Sequence, residues 1–182
     1  MLLIALPFST YAAENYLIDA EHSDVRFSVS HFFVLTTPGS FDKISGKITL
    51  DRVAKNGSID VVIEGGSINT NHAKRDENLR SPNFFNTAKY PNVHYQSSAI
   101  QFINDTPSSV EGTLTLLGVS KPVTITISAF KCDSGSPGTK ERCSATASSQ
   151  IKRSDFGMKY ALPLIGDEVK LMFEIEASKE SP

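Results

Sequence analysis

Tryptophan is absent from this 182-residue chain, and cysteine occurs only twice. Aromatic bulk must therefore come from eleven phenylalanines and five tyrosines. Cys132 and Cys143 have no histidine and no further cysteine at ligand spacing, which argues against a zinc-type cluster built on them. A basic excess is lacking too: 18 Lys and Arg stand against 20 Asp and Glu, for a net charge of -2. That balance disfavours nucleic acid as a partner, because such binding rests on clustered cations neutralising phosphates. No run reaches the roughly 18 apolar residues of a membrane-spanning helix. The signatures G-x-S-x-G, H-E-x-x-H, P-loop and G-x-G-x-x-G do not occur. The four histidines, His22, His31, His72 and His94, are too dispersed for a metal site. Asp19, His22 and Ser23 are sequence neighbours at the head of a strand, a spacing that fits a hydrogen-bonded turn better than a catalytic triad. The reading is therefore of a chain with no catalytic residue, no metal and no required cofactor.

What the chain has in quantity is alternation of period two. In DVRFSVSHFF, Val25, Phe27, Val29 and His31 share one face, and the same parity carries Phe33. Ile48 pairs with Leu50, and Ile59 with Val61 and Ile63. Further sets are Val110, Leu114 and Leu116; then Val123, Ile125, Ile127 and Ala129; then Val169, Leu171, Phe173 and Ile175. NVHYQSSAIQF and CSATASSQIK supply two more runs. About eight strands result, each with one apolar face, which indicates antiparallel pairing in a closed barrel or a sandwich. No repeat or linker divides the chain, so one domain is expected.

Residues 70–91, TNHAKRDENLRSPNFFNTAKYP, break this rhythm. Good helix formers follow Thr70 or Asn71 as N-cap, and Pro82 stops the run, predicting a helix over 71–81. Asp76 and Arg80 are spaced to pair at i, i+4. With only Ala73 and Leu79 apolar, this helix must lie on the surface or over an opening. At the N-terminus, the apolar run Leu2–Phe8 is followed by small residues at Thr10 and Ala12, which predicts a signal peptide over 1–12 and export. The run lacks a preceding Lys or Arg, as a signal with a start further upstream would. In an exported chain, Cys132 and Cys143 flanking DSGSPGTKER suit a disulfide across a hairpin.

SINTNHAKRDENLRSPNFFNTAKYP resembles the signature region of the YceI-like family, the polyisoprenoid-binding proteins of bacterial periplasms. Other segments agree with that family in order: YLIDAEHSDVRFSVSHF, GSFDKISGKITLD, GTLTLLGVSKPVTI, IKRSDFGMKY and IGDEVKLMFEIEA. The resemblance covers Tyr16 to Ala177 and implies a domain over 16–178. Its implied fold is all-β: an extended eight-stranded antiparallel lipocalin-like barrel with a short helical segment around residues 71–81. Without tryptophan the chain cannot carry the G-x-W signature of true lipocalins, so likeness to those is architectural. The cysteine pair is no part of the family pattern.

The resemblance implies non-enzymatic binding or carriage of a long-chain isoprenoid or quinone-like amphipathic lipid in the barrel lumen, in the periplasm. The partner would be this hydrophobic small molecule. Transient contact with inner-membrane redox or lipid proteins, and a homodimer, are compatible with it. Parity and the resemblance together place Phe27, Val29, His31, Phe33, Ile48, Phe84, Phe85, Leu114, Leu116, Ile125, Ile127, Phe156, Leu171 and Phe173 along the lumen. Asn71, His72, Arg75, Asp76 and Leu79 form the expected mouth motif. His31 reads either as a hydrogen-bonded core histidine or as a contact to a ligand head group. Two other functions compete: an enzyme acting on a prenyl or quinone lipid through His31 or Asp76, and a ligand-free, stress-related interaction module.

Overall fold

The computed structural model describes residues 13–135 and 139–181. The expected signal peptide, and the centre of the turn between the cysteines, lie outside the described residues. Eleven strands appear: β1 Glu14–Ile18, β2 Asp24–His31, β3 Leu35–Phe41, β4 Ile44–Asp51, β5 Asn56–Glu64, β6 Ile68–Asn69, β7 Asn92–Ile103, β8 Thr106–Leu116, β9 Val119–Asp133, β10 Arg142–Lys152 and β11 Ile165–Lys179. One α-helix among the described residues, α1, spans Ala73–Arg80. No helix among the described residues is long and apolar enough to cross a membrane.

The eleven strands reduce to an eight-stranded antiparallel meander, because three of the eight are interrupted. β1 and β2 both run along β11, at Ala177–Lys179 and Ile165–Glu174 respectively. β4 pairs with β1 and β3 with β2, so the second strand breaks at the same level. β5 and β6 follow β4 and β3 in the same way. Pairing of β1 with both β4 and β11 closes the sheet into a barrel, while the β2–β3–β6 branch at the mouth ends on β6. The sandwich alternative is thereby excluded.

The two ends differ. At one, Tyr16, Leu50, Ile100, Val110, Cys143 and Ala177 are buried and plug the barrel. Cys132 and Cys143 stand directly opposite each other on β9 and β10 and are joined as a disulfide. A polar cluster lies outside the plug. Tyr16 Oη is 2.5 Å from Glu141 and 2.8 Å from Glu14. Arg52 donates to both carboxylates, and Lys179 donates to Glu14. The other end carries α1, the β2–β3 hairpin tip and the 157–164 loop.

Two glycines inside strands make room for aromatic rings. A Cβ on Gly112 would sit 2.5 Å from the Tyr95 ring, and one on Gly39 2.3 Å from the Phe27 ring. The Tyr95 hydroxyl donates towards the Val110 and Val123 carbonyls.

Three expectations about local geometry fail. The N-cap of α1 is His72, whose Nδ1 accepts from the Arg75 N–H at 3.2 Å. Thr70 is taken instead by Asp76, which accepts from its N–H (2.9 Å) and its hydroxyl (2.5 Å). Asp76 and Arg80 accordingly do not pair, and Arg80 donates to the Gly66 and Ile68 carbonyls. Ala129 is exposed rather than inward. A bulge at Ser128 sets Ala129 opposite Thr146 but Ile127 opposite Ala147, which reverses parity beyond Ile127 and turns Phe130 inward.

Candidate functional site

The inward faces do not fill the barrel. They enclose a cavity of about 420 Å³ that extends from the plugged end to the α1 end, within the roughly 300–1,000 Å³ typical of small-molecule sites. Phe27, Val29, His31, Ile48, Phe84, Phe85, Leu114, Leu116, Ile125, Ile127, Leu171 and Phe173 all line it. So do Arg75 and Leu79 of α1. The Phe27, Phe41 and Phe85 rings follow one another along one wall, with centroids 5.6 and 5.5 Å apart.

Several expected residues lie elsewhere. Phe33 is 71% exposed, because the chain reverses at 32–34 and strand parity ends with His31. Phe156 is fully buried but does not line the cavity. Its segment is a 3-10 turn, Arg153–Phe156, closed by Gly157 in the left-handed region, which wedges the ring into the surrounding core. Asn71 and His72 are exposed outside the cavity, and Asp76 is buried behind it, anchoring Thr70.

Polar groups reach the cavity mainly near its mouth: His31, Thr37, Thr70, Arg75 and Asn78. Arg75 Nε donates to Thr70 Oγ1 and Nη2 to the Thr70 carbonyl, both at 2.7 Å. With Thr70 held in turn by Asp76, the guanidinium is oriented, and its remaining N–H groups have no partner among the described residues. A fixed cationic donor beside an apolar tunnel suits an amphiphile's polar head.

Arg153 also lines the cavity and was not singled out by sequence reasoning. Its buried guanidinium donates to the carbonyls of Met158, Tyr160, Ile165 and Gly166, at 2.8–3.0 Å. It thereby fixes the loop on one side of the mouth. Burial pushes its pKa below the ordinary value, against the pull of nearby Asp167. Thr37, Asn78 and Met158 were equally unforeseen. Asn78 and Met158 lie in segments that resemble the family, but neither segment alone shows which side chains meet at the mouth, where α1 and the interrupted strands bring them from distant positions. Tyr95, at the inner end, is buried, which pushes its phenol up to about 12.

The sequence profile of the YceI-like domain matches residues 16–177. The chain belongs to the YceI-like family. Protein YceI of Escherichia coli is 35% identical over 173 residues, which cover 92% of this chain and 88% of that one. A crystallised YceI protein of Campylobacter jejuni is 29% identical, with TM-score 0.70 over 84% of this chain and 90% of its own. A polyisoprenoid binding domain from Saccharophagus degradans shares the fold at 20% identity, with TM-score 0.68 over 91% and 98%. The YceI-like fold accounts for the position of the signature segment: it builds α1 and the Phe84–Phe85 pair at the mouth.

Asp19, His22 and Ser23 form no triad. His22 Nδ1 lies 2.9 Å from Asp19 Oδ2, whereas the Ser23 hydroxyl bonds to the Glu176 backbone. The cluster lies at the β1–β2 turn, and the hydrogen bond from His22 holds the Asp19 carboxyl below its usual range.

Proposed function

We propose that this protein binds and carries, without catalysis, a long-chain isoprenoid or quinone-like amphipathic lipid in its lumen, and does so in the periplasm. The observation carrying this reading is the cavity: a barrel-length space with apolar walls and an oriented arginine at its mouth. A polyisoprenoid has no charge along its length, so its recognition rests on area burial. Each five-carbon unit contributes roughly 3 kcal/mol gross, offset in part by the ordering of a flexible chain. The Saccharophagus degradans domain of similar fold is described as polyisoprenoid-binding, which supports the ligand class. The apolar Leu2–Phe8 run supports export.

The test is native mass spectrometry, then organic extraction, of protein purified from the periplasm of its own organism. A single co-purifying apolar species is expected, on protein beginning near Ala13. Repeated recovery of empty protein would overturn the carrier reading, and an intact Met1 on periplasmic protein would overturn export. Purified protein should not convert quinones or prenyl lipids; turnover would make it an enzyme.

A further inference from the structure

The rim of the mouth carries a surface that ligand enclosure does not explain. At the β2–β3 tip, Phe32, Phe33, Val34 and Leu35 are four successive large apolar residues, 54%, 71%, 86% and 62% exposed. Next to them is Leu164, 49% exposed, whose carbonyl accepts from the Phe32 N–H at 2.7 Å. Tyr160 on the same loop is 51% exposed. The other exposed large apolars, such as Val53 and Ile103, stand singly in sequence, which is ordinary for a soluble protein. A hairpin turn needs none of this. Phe32 and Phe33 hold left-handed backbone, with φ of 50° and 63°, where glycine or asparagine would sit without strain. The tight turn at the opposite end places Asn104 at such a position. Folding thus gains nothing from the backbone at this tip and, beyond the edge-on contact of Phe32 with His31 (ring centroids 4.2 Å), little from its side chains.

Cations stand on the same rim. The mouth-end connections 32–34, 81–91, 117–118 and 153–164 contain the exposed Lys89 and Lys159, the buried Arg153 and one exposed carboxylate, Asp155. On α1 the exposed Lys74 and Glu77 offset each other. The plugged end carries Glu14, Asp51, Asp105, Asp133 and Glu141, but these are balanced by Arg52, Lys55, Lys140, Arg142 and Lys179.

We propose that this tip docks on the surface of an anionic phospholipid bilayer, with the lumen mouth facing the lipid. Phe33, Val34 and Leu35 enter the headgroup–acyl boundary, Tyr160 lies at headgroup level, and Lys89 and Lys159 meet phosphates. A protruding tip on a rim that also carries cations suits this better than a flat protein interface, which needs over about 1,000 Å² of complementary area. His31 lines the cavity one residue before the tip, so docking would set the mouth against the source of an insoluble ligand. This purpose rests on the carrier reading; the docking itself does not.

The absence of tryptophan supplies the probe. In Phe33→Trp the single indole should shift to the blue on addition of phosphatidylglycerol-containing vesicles and be quenched by brominated acyl chains. In Val53→Trp, at the opposite end, it should do neither. Both variants share one N-terminus, so binding through Leu2–Phe8 cannot separate them. Phe33→Ser/Val34→Ser should lower vesicle association at least about tenfold, as loss of buried apolar area requires, with far-UV circular dichroism unchanged. Lys89→Gln/Lys159→Gln should lower it for anionic vesicles and remove its salt dependence. Equal quenching at both positions, or unchanged association of the serine variant, would overturn docking. So would an indole shielded without lipid in a protein that sediments as a dimer, since a second copy would then cover the tip. Quenching at position 33 in protein that carries no extractable lipid would support docking while removing the carrier reading.

Discussion

A buried arginine that meets four carbonyls is the costliest single residue to lose at the mouth. Arg153 uses its planar fork to hold Met158, Tyr160, Ile165 and Gly166 around one centre. Arg153→Met keeps much of the volume and leaves those carbonyls unsatisfied, which should cost about 2–4 kcal/mol. Urea unfolding of the variant would measure it. Arg153→Lys should recover only part of the loss, because one ammonium cannot span all four acceptors. Hydrogen exchange should quicken in 157–166 before it does in β7 or β8.

Among elements, the β9–β10 pair carries both the disulfide and the bulge. Ala147 on β10 lines the cavity opposite Phe173 and Ile127, whereas Ala129 points outward. Ala147→Phe should expel co-purifying lipid with little change in melting temperature, since the ring enters space that is open. Ala129→Phe should change neither. If Ala147→Phe instead costs about 1–3 kcal/mol and no lipid accompanies the wild type, the lumen behaves as a filled core. The Cys132–Cys143 bond closes a short loop at the plugged end, and reduction should lower stability by roughly 2–3 kcal/mol. Thermal unfolding with and without reductant, beside a Cys132→Ser/Cys143→Ser variant, would check the value. Alkylation of unreduced, denatured protein should label neither cysteine.

For the molecule as a whole, the seam where β1 meets β11 decides whether the barrel is closed. Glu14 stands there. Burial opposes its ionisation, but hydrogen bonds from Lys179, Tyr16 and Arg52 prevail and bring its pKa from 4.5 down to about 2. The folded value lies below the unfolded one, so the stabilisation is complete above about pH 5 and is lost as pH falls through 4.5 towards 2. Screening by water at the barrel end reduces the contribution to roughly 1–2 kcal/mol. Glu14→Gln should flatten the acid limb of stability against pH between about 5 and 2 while leaving tertiary structure at pH 7 intact. Denaturation midpoints across that window would show it.

Alternation alone determined that this chain is β, that its strands are one-faced, and that Phe27, Val29, Ile125, Ile127, Leu171 and Phe173 point together. Parity is a property of the extended backbone itself and needs no partner. The polar run before Phe84 likewise marked a helix with almost no core face, hence one at an opening. Parity fails where the backbone stops being extended: at the Phe33 reversal, at the Ser128 bulge beside Ala129, and at the 3-10 turn of Phe156. Hydrogen bonds between distant strands set each of these departures. Closure into a barrel rather than a sandwich is of the same kind, since both bury one face per strand and only the β1–β11 pairing distinguishes them. The capping of α1 depended on whether Thr70 was free, and Asp76 and Arg75 had already engaged it. Arg153 stands in a segment that resembles the family, but its role was not readable because its partners are backbone carbonyls, which every residue has. The cavity was implied only by the family resemblance and could not follow from alternation, because empty volume is a property of walls brought together from across the chain.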